Sequence, residues 1–397
     1  MPNVEEAKLR SGHPSTEEFD LAIVGGGIVG LAAGVLAARA GARIVLLEAD
    51  SAPQGASVRN FGLVTVSGQA RGEVWSLSRR SRDLWRQIAD EAGLAVLQSG
   101  MLIAAQSREA GDLLEAFLAS EMGQACTPLS LGQAVSHCPL LRRDVLETAV
   151  WSPEELRVEP REVVPHLARH AARLGAVVRF DAPVAAVESG AVHLFNGERV
   201  RAGRILVCAG AGLRNFAPPE LAARLPGVTK LHMLRLRPRT DAGQLAVPVI
   251  SDLTLARYPG FAELPEAAGL KARIAARQPD MLSDGIHIIA VRCADGSVII
   301  GDSHHPCAGD SADPFQPAET DARILKAAGD FLDLDGAQVI ERWTGAYPRA
   351  EGGDWLIEET QPGVWLAGVL GGKGMTLAFG FAERALARTG LGAGVTA

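Results

Sequence analysis

Leu21-Ala22-Ile23-Val24-Gly25-Gly26-Gly27-Ile28-Val29-Gly30 decides the fold. An apolar run that enters G-x-G-x-x-G is the pattern of a buried strand turning sharply into a helix. Gly25 permits the tight turn, Gly27 lets the backbone approach a pyrophosphate with no Cβ in the way, and Gly30 allows the helix to pack closely on the strand. Ile28 and Val29 open the helix, where free N–H groups and the dipole favour negative charge. The motif alone is common, so its surroundings decide. Leu31 to Ala40 reads as a small-residue helix and Ala42 to Leu47 as a β-branched, apolar strand. Glu48, followed by Ala49, closes that strand about 20 residues after the glycines, where a ribose-binding carboxylate is expected. A plain glycine turn with an incidental surface Glu48 does not require this complete order of strand, helix, strand and acid.

Near the other end, Val364 to Val369 reads as a strand, Gly371-Gly372-Lys373-Gly374-Met375-Thr376 follows, and Met375 to Leu386 reads as a helix. Taken alone this is equally an ordinary strand-to-helix turn with a solvated lysine. Beside the first motif it points to FAD held by both ends of the chain. Negative charge grows at N1 and the C2 carbonyl of a reduced flavin, and a helix N-terminus with Lys373 nearby would stabilise it.

The 397 residues, 47% of them hydrophobic, can bury a large core and predict two or three domains in a soluble, globular protein. A formal charge of −7 leaves no basic footprint for nucleic acid, and no basic amphipathic stretch marks a membrane surface. The longest apolar stretch, Leu21 to Ala38, is interrupted by the glycines and lacks signal-peptide flanks. Met1 to Glu18 reads as a polar, mobile leader. Cys126, Cys138, Cys208, Cys293 and Cys307 are widely spaced, with no C-x-x-C pair and no His/Cys metal spacing, so no metal is expected and a reduced, cytoplasmic setting fits. Buried structural thiols are the expectation, with Cys307 the most exposed.

Gly72 to Ala92 reads as an amphipathic helix, Val96 to Ala105 as a strand, and Glu109 to Glu121 and Pro160 to Leu174 as helices. Strands are expected at 176–180, 184–187 and 192–195, with Asn196-Gly197 as a hairpin turn. Arg204 to Gly212 would return the chain to the nucleotide-binding sheet through Ala209 and Gly210. Strands separated by loops are expected at 228–236, 247–251, 285–294 and 297–301, then a helix at 320–332 and a strand near 340–343. The predicted fold class is therefore α/β: a Rossmann-like FAD-binding domain (residues 19–95, 151–225 and 336–397) with an inserted antiparallel β-sheet substrate domain (96–150 and 226–335).

In these motifs the chain resembles the D-amino acid oxidase superfamily of FAD-dependent oxidoreductases, which includes glycine oxidase and sarcosine oxidase, and which has the glutathione reductase type 2 arrangement. The resemblance covers nearly all of residues 19–390 and rests on Asp20–Gly30 with Glu48, on Gly55-Ala56-Ser57-Val58-Arg59-Asn60-Phe61-Gly62, on Ile205–Gly212 and on Gly368–Thr376. It implies that Ser57, Arg59, Asn60, Phe61 and Gly62 line the pyrophosphate and flavin edge, although Arg59 and Asn60 also suit a loop cap. It implies as well that the Val184 backbone meets the adenine. Lys230 to Arg235, Leu253-Thr254-Leu255, Gly285-Ile286-His287, Asp295-Gly296-Ser297 and Gly301-Asp302-Ser303-His304 are similar to a phosphonate-associated branch. That narrower resemblance implies oxidation of 2-aminoethylphosphonate, or an N-methyl or hydroxy derivative, to the aldehyde by hydride transfer to flavin N5 and imine hydrolysis, with O2 as expected acceptor.

Amino-acid oxidases of the superfamily place an arginine in a G-x-R-P setting, where its fork clamps a carboxylate. Here the stretch is Gly345-Ala346-Tyr347-Pro348-Arg349, with Tyr347 in the arginine's place. An ordinary α-amino acid becomes a poorer fit, and Tyr347, Arg349, Arg257, His304 and Lys230 become candidate donors to a phosphonate; each singly could equally be a solvated polar residue. His304, with an ordinary pKa of ~6.5, is the candidate base for the substrate's ammonium, beside Tyr347 and Lys373 as candidate catalytic groups. No cysteine lies in Trp343–Arg349, so a non-covalent FAD is expected. A glycine or sarcosine type of oxidase, a flavin dehydrogenase using a quinone or protein acceptor, and a non-catalytic nucleotide-binding protein remain the alternatives. A pyridine-nucleotide-dependent reductase would need a second dinucleotide fingerprint, which the chain lacks. Oligomeric state is not legible.

Overall fold

The computed structural model describes residues 18–239, 245–309, 311–349 and 352–392. All but the last residue of the expected leader lies outside them; Glu18–Phe19 forms a short strand against Arg199–Ala202.

Leu21–Val24 is the centre of a six-stranded sheet ordered Trp355–Gln361, Val364–Val369, Ile205–Val207, Leu21–Val24, Ile44–Leu47, Val177–Arg179, parallel except for the first pair. Both faces are covered, which is why the strands read as unbroken apolar runs. Leu21, Ile23, Ile44 and Leu46 point to the helices Ile28–Arg39, Glu73–Ala92, Pro160–Arg173 and Gly374–Arg388. Ala22, Val24, Val45 and Leu47 point to the four-stranded sheet built from Glu18–Phe19, Val184–Glu188, Ala191–Leu194 and Arg199–Ala202. The helices approach closely because their contact residues are small: an added Cβ on Gly30 would stand 2.0 Å from the Gly25 carbonyl oxygen.

The second body is a ten-stranded, mainly antiparallel sheet carrying helices Arg108–Ala119, Ala267–Arg277 and Ala318–Gly329. Gly227–Arg237 pairs along its whole length with Gln338–Arg349, and Val96–Ala105 pairs with Thr148–Val158. Both pairings cross the expected domain limits at 150/151 and 335/336, so these strands are corrected to the large sheet. The helix expected at 109–121 is Arg108–Ala119, and the stretch read as loops between 251 and 285 holds four helices, Asp252–Leu255, Pro259–Ala262, Ala267–Arg277 and Pro279–Ser283. Among the described residues no helix is long and apolar enough to cross a membrane.

Candidate active site

A cavity of about 460 Å³ opens at the carboxyl ends of Leu21–Val24, Ile205–Val207 and Val364–Val369 and runs up against the large sheet. Ligands of open α/β sheets bind at this edge. Gly27, Ile28 and Val29 line it, as do Ser57, Arg59, Asn60 and Phe61, Gly210, and every residue from Gly371 to Thr376. Two helix N-termini, at Ile28 and at Gly374, therefore face one chamber. Gly371 has nothing within 4 Å of an added Cβ, which leaves room for a ligand against the backbone. The Gly26 N–H donates to Glu48 Oε2 at 2.6 Å, so the carboxylate is pinned beside the glycine turn. Ala182 N–H bonds the Glu48 carbonyl at 2.8 Å, bringing the Val184 strand to the same end.

The loop after Gly55 braces this cradle. Ser57 Oγ accepts from the Ile28 N–H at 2.9 Å, which leaves its own proton free to donate. Asn60 donates to the carbonyls of Ala56 and Ser57 at 2.8 and 3.1 Å and accepts from Gly62 N–H at 2.7 Å. Its amide is consumed by the loop, so of its two readings the cap is the one observed. Arg59 donates to the Thr344 carbonyl at 3.3 Å, tying the loop to the large sheet.

Two expectations for charged residues, Lys230 and Arg349, are corrected, and that for Lys373 is narrowed. In the pairing of Gly227–Arg237 with Gln338–Arg349, Thr229 opposes Tyr347 and Lys230 opposes Ala346. Alternation along the strand thus turns Lys230 away from the cavity that Tyr347 lines, and its ammonium binds Asp313 at 2.8 Å and the Phe315 carbonyl. Arg349 lies outside the cavity lining. Lys373 lines the cavity, but its ammonium is paired with Asp354, so the Gly374 helix end, more than a free lysine, supplies the positive potential there.

At the opposite wall the structure gathers Arg257, Tyr258, His287, Asp302, His304 and Tyr347. Arg257 is exposed at the cavity and has no carboxylate within 4.0 Å among the described residues. Burial pushes the Tyr347 phenol up to about 12 and the Tyr258 phenol higher still, so both are hydrogen-bond donors at neutral pH. His304 is corrected as the base: burial pushes it down to about 3, and Nδ1 is held 3.1 Å from the Gly285 carbonyl. Its ring stacks on His287 at 4.9 Å. Asp302, fully enclosed, is penalised as an anion by burial, yet the imidazoles of His304 and His287 and the Arg257 guanidinium hold it below the usual carboxylate range. One donor atom from each of His287, Asp302 and His304 lies within 4.8 Å of the others, a grouping that chain spacing did not reveal.

Tyr258, His287 and Asp302 were not read as site residues from the sequence. The available signal was a polar residue set in apolar runs, as in Ile286-His287-Ile288 and Ile299-Ile300-Gly301-Asp302. Of the cysteines, Cys138, Cys208 and Cys293 are buried as expected, while Cys126 and Cys307 are both partly exposed.

A chamber walled by two helix N-termini on a parallel sheet, with a polar wall opposite, defines a dinucleotide-dependent oxidoreductase. The chain belongs to the DAO family, described as FAD dependent oxidoreductase, whose model matches residues 20–388, and FAD is its cofactor. Glycine oxidase of Geobacillus kaustophilus (strain HTA426) is 27% identical over 171 residues, which is 41% of this chain and 45%, less than half, of that relative. The crystal structure of glycine oxidase from Geobacillus kaustophilus superposes with a TM-score of 0.72 at 21% identity, covering 92% of this chain and 93% of that one. L-proline dehydrogenase from P. horikoshii gives 0.75 at 18% over 94% of each chain, and iminodiacetate oxidase from Chelativorans sp. BNC1 gives 0.71 at 20% over 93% and 95%. At these identities the superpositions establish the fold.

Proposed function

We propose that this protein oxidises the C–N bond of a small amine bearing an anionic group, an aminophosphonate such as 2-aminoethylphosphonate or its N-methyl or hydroxy derivative. The observation that carries the reading is the exchange of charge at the cavity wall. Tyr347 stands where amino-acid oxidases of this superfamily carry the arginine, and an unpaired Arg257 reaches the same cavity from the segment after Asp252–Leu255. A planar carboxylate is best met by one fork in its own plane, whereas a tetrahedral anion accepts from donors arriving along different directions. Arg257, Tyr258 and Tyr347 form such a set.

Bound FAD supplies the hydride acceptor. The chain's part is to hold the anion at the Arg257 end, to present the α C–H toward the Gly371–Thr376 side, and to keep the Gly374 helix end aimed at charge that develops there. The imine then hydrolyses in water to the aldehyde. O2, giving H2O2, is the acceptor in this reading, and a quinone or electron-transfer protein is the alternative. A second reading, a glycine or sarcosine type of oxidase, is supported by the likeness to glycine oxidase and iminodiacetate oxidase.

Anaerobic bleaching of the bound flavin tests the choice. We expect faster reduction by 2-aminoethylphosphonate and its N-methyl and 1-hydroxy derivatives than by glycine or sarcosine; the reverse order rejects the phosphonate. Oxygen uptake with peroxide formation separates oxidase from dehydrogenase. We also expect acid precipitation to release yellow FAD into the supernatant. The cysteine lining the cavity, Cys208, is a fully buried thiol that burial pushes up to about 12, and a thiol of that kind is a poor nucleophile. Flavin retained in the pellet would reject the non-covalent reading.

A further inference from the structure

Asp302 is the anion in a wall that otherwise offers donors. Its Oδ1 is sealed inside the protein, 2.8 Å from His287 Nε2 and 3.7 Å from His304 Nδ1. Oδ2 takes no hydrogen bond among the described residues and is not sealed off as Oδ1 is, and Asp302 lines the cavity. With its side chain 7% exposed, Asp302 therefore presents an almost buried, unpartnered acceptor at the cavity surface. Such an acceptor is costly until a donor reaches it. Arg257 carries the complementary charge. It closes no salt bridge with Asp302, yet it is near enough to be one of the groups that, with the imidazoles of His304 and His287, hold the carboxyl below its usual range against the penalty of burial. Tyr258 and Tyr347 also face Asp302, as neutral donors. Two opposite charges on one wall, close but not joined, leave a gap that the two ends of a small zwitterion fill.

We propose that Asp302 determines specificity: its Oδ2 takes the substrate's ammonium while Arg257 takes the anionic group, so the site selects zwitterionic amines over alcohols of the same skeleton and over amines without an anion. This rests on the amine reading above. Asp302 binds and does not act as the base, because its surroundings favour the anion. The proton lost before oxidation passes to water, R–NH3+ and H2O giving R–NH2 and H3O+. The neutral amine stays hydrogen-bonded to Oδ2 through a remaining N–H. An adjacent anion favours the charged form of an amine, so the bound ammonium holds its proton to a higher pH than it would beside a neutral group.

The test compares 2-aminoethylphosphonate with propylphosphonate, in which a methyl group replaces the ammonium, on wild-type and Asp302→Asn holoenzymes at equal FAD content. If another amine of the panel is the one that reduces the flavin, it and its methyl isostere take their place. The concentration dependence of anaerobic flavin reduction gives Kd for the amine, and perturbation of the flavin spectrum gives Kd for the isostere. Wild type is expected to bind the amine about tenfold or more tightly than the isostere. In Asp302→Asn the amine should weaken about 10²-fold, while the isostere stays within about threefold of wild type. The pH midpoint of flavin reduction should fall by about one unit in the variant, since removing the anion lets the bound ammonium lose its proton more easily. A merely structural role would weaken both ligands together and leave the midpoint in place. Asp302→Ser, read in the same way, serves if Asp302→Asn does not fold. Equal wild-type affinity for amine and isostere, parallel losses in the variant, or an unshifted midpoint overturns the proposal and leaves the amine reading standing. A wild-type flavin that no amine reduces overturns both.

Discussion

Gly30→Ala is expected to purify nearly colourless, with FAD affinity reduced about 10- to 100-fold. An alanine Cβ at this position would stand 2.0 Å from the carbonyl oxygen of Gly25, a backbone atom in the turn itself, and 3.3 Å from the Ile23 side chain. Real contacts of that kind are not made, so the helix Ile28–Arg39 must lift from the strand or the turn must open. Overpacking of this sort costs about 1–3 kcal/mol. Because the displaced element carries the N–H groups at Ile28 and Val29, much of that cost appears as lost cofactor binding, at about 1.4 kcal/mol per factor of ten. Gly34→Ala, one turn further on the same helix, is the matched control. Its nearest neighbours, Ile44 and Leu46, would lie at 3.5 Å, ordinary contact distance, and alanine is about 1 kcal/mol the better helix former. Isothermal titration of the apoproteins with FAD should therefore show wild-type affinity for Gly34→Ala and weak binding for Gly30→Ala. Equal affinities for all three would mean that close packing of helix on strand is not what holds the cradle.

The contrast between these glycines marks what could be read in the chain. The cofactor end was legible because its parts are contiguous and its constraints backbone ones: a buried parallel strand is an apolar run, and a close approach is a glycine. Glu48 could be placed by counting because one helix and one strand fix its position. Thr148–Val158 escaped because Ser152-Pro153-Glu154-Glu155-Leu156-Arg157 breaks any apolar alternation. The reason lies elsewhere in the fold. Glu155, wholly buried, accepts from the Val66 and Ser67 N–H groups at 3.3 and 2.7 Å, and buried Arg157 donates to the Phe61 carbonyl at 3.2 Å and to Glu159 at 2.9 Å. Partners some 90 residues away make polar residues acceptable in a core strand, and no local pattern reports them. Lys230 was misassigned for a related reason: its residue type suited an anion, but strand register, fixed by the Thr229–Tyr347 pair, turned it to the other face. The opposite wall joins Arg257, His287, Asp302 and Tyr347 from four separate segments, so only tertiary structure could assemble it.

Arg257→Met should lower kcat/KM for the preferred anionic amine by about 10²-fold or more, carried mainly by KM, while FAD binding stays at the wild-type level. The guanidinium has no protein carboxylate within 4.0 Å among the described residues, so most of the loss reports the substrate's anion, with a smaller part from weaker support of the Asp302 carboxylate. Truncating one side of a close charge pair costs about 2–5 kcal/mol, of which exposure to solvent at Arg257 selects the lower part. Tyr347→Phe, removing one neutral donor, should cost nearer tenfold. The informative substitution is Tyr347→Arg, which puts a guanidinium on the strand Gln338–Arg349 at the cavity wall. If the anion is a phosphonate gripped from several directions, Tyr347→Arg crowds Arg257 with a like charge and moves the ratio of kcat/KM values toward glycine and sarcosine by at least tenfold. If the chain already prefers an amino carboxylate through Arg257, the added fork brings no such shift, and Arg257→Lys, which keeps the charge but not the planar geometry, loses as much as Arg257→Met. Steady-state rates of the four variants with 2-aminoethylphosphonate and glycine side by side distinguish these outcomes, because one predicts a change in preference and the other only a change in magnitude.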